Sequence, residues 1–355
     1  MATYAIGVNS NEAVKLWSRK LAHEAFKTTY FQRFVGDNSD SLVQELKDAQ
    51  KGPGDRIRAI LRVLLSGDGV LGDQPMEGNE EALTTFTNDL LINQLRHAVR
   101  SQGKMSEQRI PFSVREESMN GLRDWWAERF DYAFFNQICG NTAQTDLRYT
   151  GHNAAIAPTR QVWVGGVSND QGLGSTNTMT LQILDYAYEK ATSTPIGTPM
   201  LRPVMVGNEP YYVVFLHPYQ VTDLRTNTAT GQWLDIQKSA MTGGDVEDNP
   251  IFTGALGIYN NMVLHKAYRV TQGVNSSTGA AISTVRRAAL CGAQACFLGF
   301  GQGHSRNQME WNEELFDYGN QLGVEGGAIF GLQKNVFNSL DFGCMVISSY
   351  AAAHA

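Results

Sequence analysis

The residues of this chain whose types and spacing could do chemistry are few, and most of them gather in one stretch. Gly299-Phe300-Gly301-Gln302-Gly303 has the glycine content of a phosphate-binding turn, His304 follows it, and Glu310, Glu313 and Glu314 lie downstream. Such a set could cradle a phosphate on backbone amides, or support acid–base or metal chemistry through the imidazole and carboxylates. Each reading meets an objection in the residues themselves. The glycine run lacks the spacing and the following helical pattern of a dinucleotide fingerprint, so a tight turn after a strand accounts for it. None of the seven histidines has a second histidine at ligand spacing, and Glu313 and Glu314 read as two acids on a charged, solvated helix. No Walker loop, His-Glu-x-x-His or Gly-x-Ser-x-Gly elbow occurs. Cys139, Cys291, Cys296 and Cys344 lack Cys-x-x-Cys spacing and read as buried free thiols. No catalytic residue, cofactor-binding residue or metal ligand is expected; a soluble α+β enzyme with an acidic site near Glu313 stands as one alternative.

Composition narrows the function classes further. At 355 residues and 42% hydrophobic side chains, the chain can bury a sizeable core spread over two or three domains. Charged residues make up only 18%, below the roughly 25% of ordinary soluble domains, so part of the surface is expected to meet protein rather than water. Arginine outnumbers lysine, 19 to 10, as it does at interfaces, although a genome-composition bias would produce the same ratio. The net charge of −6 and the absence of a basic stripe argue against a dedicated nucleic-acid binder. Residues Pro250 to Met309 contain no acid and only five basic side chains, a neutral region that reads as sheet core. No charged region followed by an apolar core opens the chain and no run of 18 apolar residues occurs, so neither secretion through a signal peptide nor membrane spanning is expected.

The elements that would have to position any site are more informative than the site candidates. Asp55-Arg56-Ile57-Arg58-Ala59-Ile60 alternates charged and apolar side chains, the period of a strand with one wet face, and Leu61 to Leu65 extends it. Ser66-Gly67-Asp68-Gly69-Val70-Leu71-Gly72-Asp73-Gln74-Pro75 is turn chemistry, and Ala82 to Val99 reads as a returning strand whose second half, Leu90 to Val99, also fits a helix. A long two-stranded arm has too little core to stand alone and is expected to lie on another subunit. Ser113-Val114-Arg115-Glu116 has the spacing of a capping box. Behind it Met119, Leu122, Trp125, Trp126, Phe130, Ala133, Phe134 and Ile138 recur at three and four residues, up to a left-handed cap at Gly140. Roughly 25 residues at 1.5 Å rise make a rod of nearly 40 Å. Trp125-Trp126 could be a stacking platform, but their place in this pattern assigns them to core or interface. Elsewhere a helical pattern runs from Val14 to Phe34 and ends at Gly36, and a shorter charged one from Ser41 to Gln50. Asn141 to Ser175 connects, with one short strand at Gln161 to Val164, and a helix is predicted over Thr178 to Ala191. Strands follow at Tyr211 to Leu216, Gly257 to Val270 and Ala288 to Phe300, with a final pair at Ala328 to Gln333 and Phe342 to Ser349.

This order of elements resembles a tailed-bacteriophage major capsid protein of α+β class with the HK97-like fold, and several stretches resemble the N4-type family of such proteins. The stretches are Gly54-Asp55-Arg56, Leu65 to Asp73, Glu77-Gly78-Asn79-Glu80-Glu81, Gln94 to Val99 and Met105 to Arg109, then Phe215 to Arg225 and Gly331 to Asn338. The resemblance implies an N-terminal arm over residues 1–50, an extended loop (a β-hairpin) over 51–110, and a peripheral domain with the long spine helix over 111–175. It implies a mainly axial domain over 176–285, and strands returning to both domains over 286–355. Its tip residues Gly67, Asp68, Gly69, Val70, Leu71, Gly72 and Asp73 would contact a neighbouring subunit, and Leu122, Trp125, Trp126, Phe130 and Phe134 would pack the spine. The implied partners are further copies of the chain, as hexamers and pentamers tiling an icosahedral head around double-stranded DNA without sequence-specific binding. Portal and scaffolding proteins are implied too, with room for a decoration protein, but no membrane. The implied location is the virion capsid, after synthesis in the host cytoplasm.

One departure from the family pattern bears on mechanism. The type member of the fold links a lysine on the extended loop to a neighbour's asparagine, and here Gly52 to Gly103 contains no lysine, so a non-covalent shell is expected. The chain opens into a short arm without a long charged segment, so a maturation protease is not expected either. An encapsulin-like compartment enclosing cargo protein is the second alternative, because it would use the same fold.

Overall fold

The computed structural model describes residues 11–47, 54–63, 65, 67–73, 75–111, 113–193, 199–207, 209–226 and 255–353. The readings for residues 1–10, for the end of the charged pattern at 48–50 and for the middle of the axial region at 227–254 lie outside them.

The first third of the chain holds helix α1 (Asn11–Thr28), a 3-10 turn at Phe31–Phe34, and strands β1 (Val35–Gly36), β2 (Val43–Leu46), β3 (Arg56–Arg62), β4 (Thr85–Leu91) and β5 (Asn93–Arg100). Helices α2 (Lys104–Gln108) and α3 (Val114–Ile138) follow, then β6 (Gln161–Trp163), α4 (Leu181–Thr192), β7 (Val204–Val206), β8 (Glu209–Leu216) and α5 (Pro218–Thr226). The remainder is strand: β9 (Gly257–Tyr259), β10 (Met262–Lys266), β11 (Gln272–Val274), β12 (Ala281–Cys291), β13 (Cys296–Phe300) and β14 (Glu310–Phe316). The last four are β15 (Gln321–Lys334), β16 (Val336–Phe337), β17 (Leu340–Asp341) and β18 (Cys344–Tyr350).

Two sheets carry the fold. In one, β1, β2, β13, β15 and β14 lie side by side and β5 joins β15. In the other the order is β6, β18, β12, β8, β10, β9, with β11 on β12 and β7 on β8. Helix α3 begins and ends where its residues dictate. The Ser113 hydroxyl accepts from the Glu116 amide. At the far end Gly140 takes φ 60°, its amide bonds Gln137 O and the Asn141 amide bonds Asn136 O, the paired bonds of a Schellman cap. The buried face of α3 joins α1, β13 and β15 in the main core, while α4 closes a second core against the other sheet.

Three expectations are corrected. The first helix stops at Thr28, and the chain passes through the 3-10 turn, not a continuous helix, to Gly36. The charged pattern after Ser41 is strand β2, held in parallel between β1 and β13. Sheet hydrogen bonds on both sides outweigh the helical propensity of so short a segment, and those to β13 are made to residues some 250 positions away. The final strands do not pair with each other: β15 belongs to the first sheet and β18 to the second. Leu90 to Val99, where strand and helix were both open, is strand, broken at Ile92 where the chain leaves β4 and enters β5.

Candidate assembly surface

β3 and β4 pair antiparallel in one continuous register from Arg56 opposite Leu91 to Arg62 opposite Thr85, and a further bond from the Val63 amide to Thr84 O carries the ladder outward. Arg58 and Asp89 lie opposite each other and bond twice, at 2.6 and 2.8 Å. That bond holds the Asp89 carboxyl below its usual range. The root of the hairpin is apolar: Ile57, Leu90 and Ile92 form a small cluster with Phe297 and Phe337. Glycines make room for it, since a Cβ at Gly299 would collide with Ile57 Cδ1 and one at Gly331 with the carbonyl of Leu91. Asn153 completes the seat. Its Oδ1 accepts from the Leu91 amide and its Nδ2 donates to Leu91 O, each at 3.0 Å, so a side chain takes the place of a neighbouring strand.

Burial fades along the arm. Ile57 is 3% exposed, Ala59 and Leu61 are partly covered, and beyond them Leu65 is 66% and Leu71 84% exposed. Ile60, Met76 and Leu83 are also exposed large apolar side chains on this element. At about 25 cal/mol per Å² of apolar surface, leaving these in water costs several kcal/mol that a covering partner would recover. The tip is shaped by its glycines. Gly69 and Gly72 sit at φ 74° and 63° with open space where a Cβ would be, so the backbone conformation alone demands glycine. The Gly67 amide donates to Glu81 Oε2 at 2.7 Å across the loop. Val70 is partly covered, while Asp68, Leu71 and Asp73 are exposed.

The spine residues separate into two groups. Leu122, Trp126, Phe130 and Phe134 are fully buried. Trp126 and Phe130 meet Phe330 of β15, and Phe134 stacks on Phe31 at 4.9 Å. Trp125 is only half-buried; its ring stacks on His97 of β5 at 4.4 Å and carries the Arg129 guanidinium at 5.0 Å. It clasps the first strand after the hairpin to the spine.

The polar group that ties the spine to the second sheet has no motif in the sequence. Asp170 accepts from Gln161 Nε2, Trp163 Nε1, the Val274 amide and Arg287 Nε, all between 2.7 and 2.9 Å. Arg287 of β12 then donates to Gly140 O at 2.6 Å, placing a cation on the carbonyl end of α3. Lys334 and Asp341 form a second ion pair at 2.7 Å with neither side chain exposed.

The chemical candidates are dispersed. Gly299 closes against the hairpin root, and Gly301 and Gly303 form the turn after β13, with Gly303 at φ 79°. Glu313 and Glu314 lie on strand β14 and not on a helix, so they point to opposite faces. Glu313 is buried and accepts from Arg115 Nη2 at 2.6 Å and Trp311 Nε1 at 3.0 Å. His304 and Glu310 do share the rim of one shallow cleft, where burial lowers the His304 pKa. Among the described residues no group of three or more His, Cys, Asp or Glu could hold a metal. All four cysteines are buried and free, and burial raises their pKa values.

Comparisons with known proteins agree on one family. The family described as Phage capsid protein matches residues 5–353. The chain is 29% identical to the major capsid protein of Pseudomonas phage KPP25, with 97% of this chain and 96% of that protein covered. Among solved structures, the capsid of Ralstonia phage GP4 matches with a TM-score of 0.82 at 32% identity, over the full length of both chains. The cyanophage Pam1 capsid matches with a TM-score of 0.69 at 21% identity, again over the full length of both, and shares the fold.

Proposed function

The chain belongs to the phage capsid protein family, and from that premise we propose that it is the major capsid protein of a phage head, built on the HK97-like fold. The observation that carries the reading is the hairpin: an arm rooted in its own subunit by a handful of side chains, with Leu65, Leu71, Met76 and Leu83 exposed along its length. A second copy of the chain, repeated by symmetry, would cover that surface in every subunit at once. Residues 1–50 are then the N-terminal arm and 51–110 the extended loop. Residues 111–175 are the peripheral domain and 176–285 the mainly axial one, and the strands of 286–355 return to both. Hexamers and pentamers tile the shell, double-stranded DNA fills it, and portal and scaffolding proteins take part in its assembly, with a decoration protein as an optional addition. A net charge of −6 suits a wall that must not grip phosphates while DNA moves past it. The proposed role is structural, as the family and the related major capsid protein suggest, and the buried acid Glu313 is already engaged by Arg115 and Trp311.

Electron micrographs of purified particles, with nuclease-protected nucleic acid measured in parallel, test the proposal. Shells with resolved capsomers that enclose DNA support it. Shells enclosing protein cargo would transfer the chain to the encapsulin-like reading, and a small oligomer in sedimentation would end both.

A further inference from the structure

Between Arg62 and Arg96 the chain has no basic side chain, while Asp68, Asp73, Glu77, Glu80 and Glu81 all fall around the hairpin tip. Glu81 and Glu80 turn back onto the amides of Gly67 and Gly78. Asp68 and Asp73 are exposed on either side of Leu71, itself 84% exposed, so their own subunit does not cover them. The tip thus offers one apolar side chain flanked by carboxylates.

A complementary surface exists elsewhere on the subunit. An open cleft of about 610 Å³ beside the end of α3 is lined by Tyr132, Tyr268, Arg269 and Arg286, with Asn141 and His217. Arg269 already has company, lying over the rings of Tyr132 at 4.3 Å and Tyr268 at 4.9 Å and bonding Glu128 at 3.3 Å. Arg286 does not: its guanidinium lies 5.7 Å from the Tyr219 ring, and no carboxylate among the described residues pairs with it. Its Nε is buried without a hydrogen-bond partner, as is Asn141 Oδ1 in the same cleft. The guanidinium as a whole is only half-buried at the wall of the open cleft, so an entering carboxylate can pair with it. The surrounding sequence, Pro250 to Met309, contains no acid to do so.

We infer that this cleft receives the hairpin tip of a neighbouring copy, with Asp68 or Asp73 meeting the Arg286 guanidinium and Leu71 lying against the rings of Tyr132 and Tyr268. The inference rests on the reading of the hairpin as an inter-subunit arm and names where that arm ends. DNA phosphate is the less suitable occupant. One unpaired arginine beside aromatic rings fits a local carboxylate, whereas a duplex backbone calls for a stripe of cations that this chain lacks.

Cysteine pairing in assembled particles is the test, because the four natural thiols are buried. Particles carrying Leu71→Cys together with Tyr268→Cys are expected to give a ladder of multimers on a non-reducing detergent gel after mild oxidation. Either single variant should give none, and Leu71→Cys with Tyr186→Cys, an exposed position on α4, should give at least about tenfold less. In a second arm, Arg286→Glu is expected to lose particles and Asp68→Arg with Asp73→Arg in the same chain to restore them, as exchange of a charge pair requires. A ladder as strong with Tyr186→Cys as with Tyr268→Cys would overturn the docking site and leave the arm standing. Assembly of normal shells after removal of the tip would overturn the arm itself. If Arg286→Glu particles assemble in full yield but release DNA more readily, the cleft belongs to phosphate and the inference fails. The cysteine experiment does not alter Arg286, so it decides the matter even if Arg286→Glu does not fold.

Discussion

Single buried polar side chains set the stability of this subunit more than any surface charge does. Asp170 satisfies four donors from the three strands β6, β11 and β12 and is 2% exposed. Asp170→Ala would leave Arg287 buried without its partner, a loss of about 3–5 kcal/mol. A drop in thermal unfolding temperature well beyond that of an exposed control such as Asp124→Ala is the expected result. Asp131 gives the subunit a pH dependence. Burial pushes its carboxyl up from 3.8 to about 7, opposed by Arg269 and by the Tyr30 amide that donates to it at 2.9 Å. Between those two values the folded state binds a proton that the unfolded state does not, so this group's contribution favours folding below about pH 4, is lost as pH rises, and is flat above about 7. Asp131→Asn removes the slope. The difference in melting temperature between wild type and variant should therefore change between pH 4 and 7 and stay constant from 7 to 9; parallel curves across the whole range would refute the assignment.

The hairpin and the spine are built by opposite means. The spine is packed on its own subunit, with Leu122, Trp126, Phe130 and Phe134 in the main core and every residue from Ala133 to Ile138 buried. The hairpin keeps its ladder but surrenders its apolar side chains to solvent beyond Leu61. Changes at the tip should therefore act on the shell and not on the subunit. Removal of the six residues from Gly67 to Gly72 is expected to abolish shells or lower their melting temperature while the unassembled subunit melts unchanged. Leu71→Ser should do the same more mildly, since full burial of a leucine is worth about 1.5–3 kcal/mol per contact. Shells of unaltered stability after the deletion would remove the hairpin from the assembly. The spine was readable from its cap and its three-and-four spacing because those signals are local. The root of the hairpin was not, because Asn153, Gly299 and Gly331 meet it from far along the chain, and nothing in their own neighbourhoods marks them as its partners.

At the scale of the particle, the question is how many weak contacts add up to a closed container. In the proposed shell a long arm in each subunit would lend its neighbour several modest interactions, and repetition by symmetry would make their loss cooperative. The stretch from Gly52 to Gly103 contains no lysine, so an amide link from that stretch to a neighbour has no donor amine. Particles boiled in detergent under reducing conditions are expected to run as monomers of 39.1 kDa, and a ladder on such a gel would show covalent bonding that the arm does not explain.

The amino-acid order by itself determined whatever depends on neighbours a few residues apart: the capped spine ending at Gly140, the alternation from Arg56 to Ile60, the glycine-shaped tip, and the missing lysine. The tertiary structure alone decided whatever depends on distant partners. It made a strand of the charged stretch after Ser41, because β13 was there to bond it on the side away from β1. It also brought Arg286 and Tyr268 to one cleft and left the carboxylates of the tip exposed. The β2–β13 ladder and the seating of Arg287 on Asp170 are set by partners more than a hundred residues apart, and no local spacing encodes them.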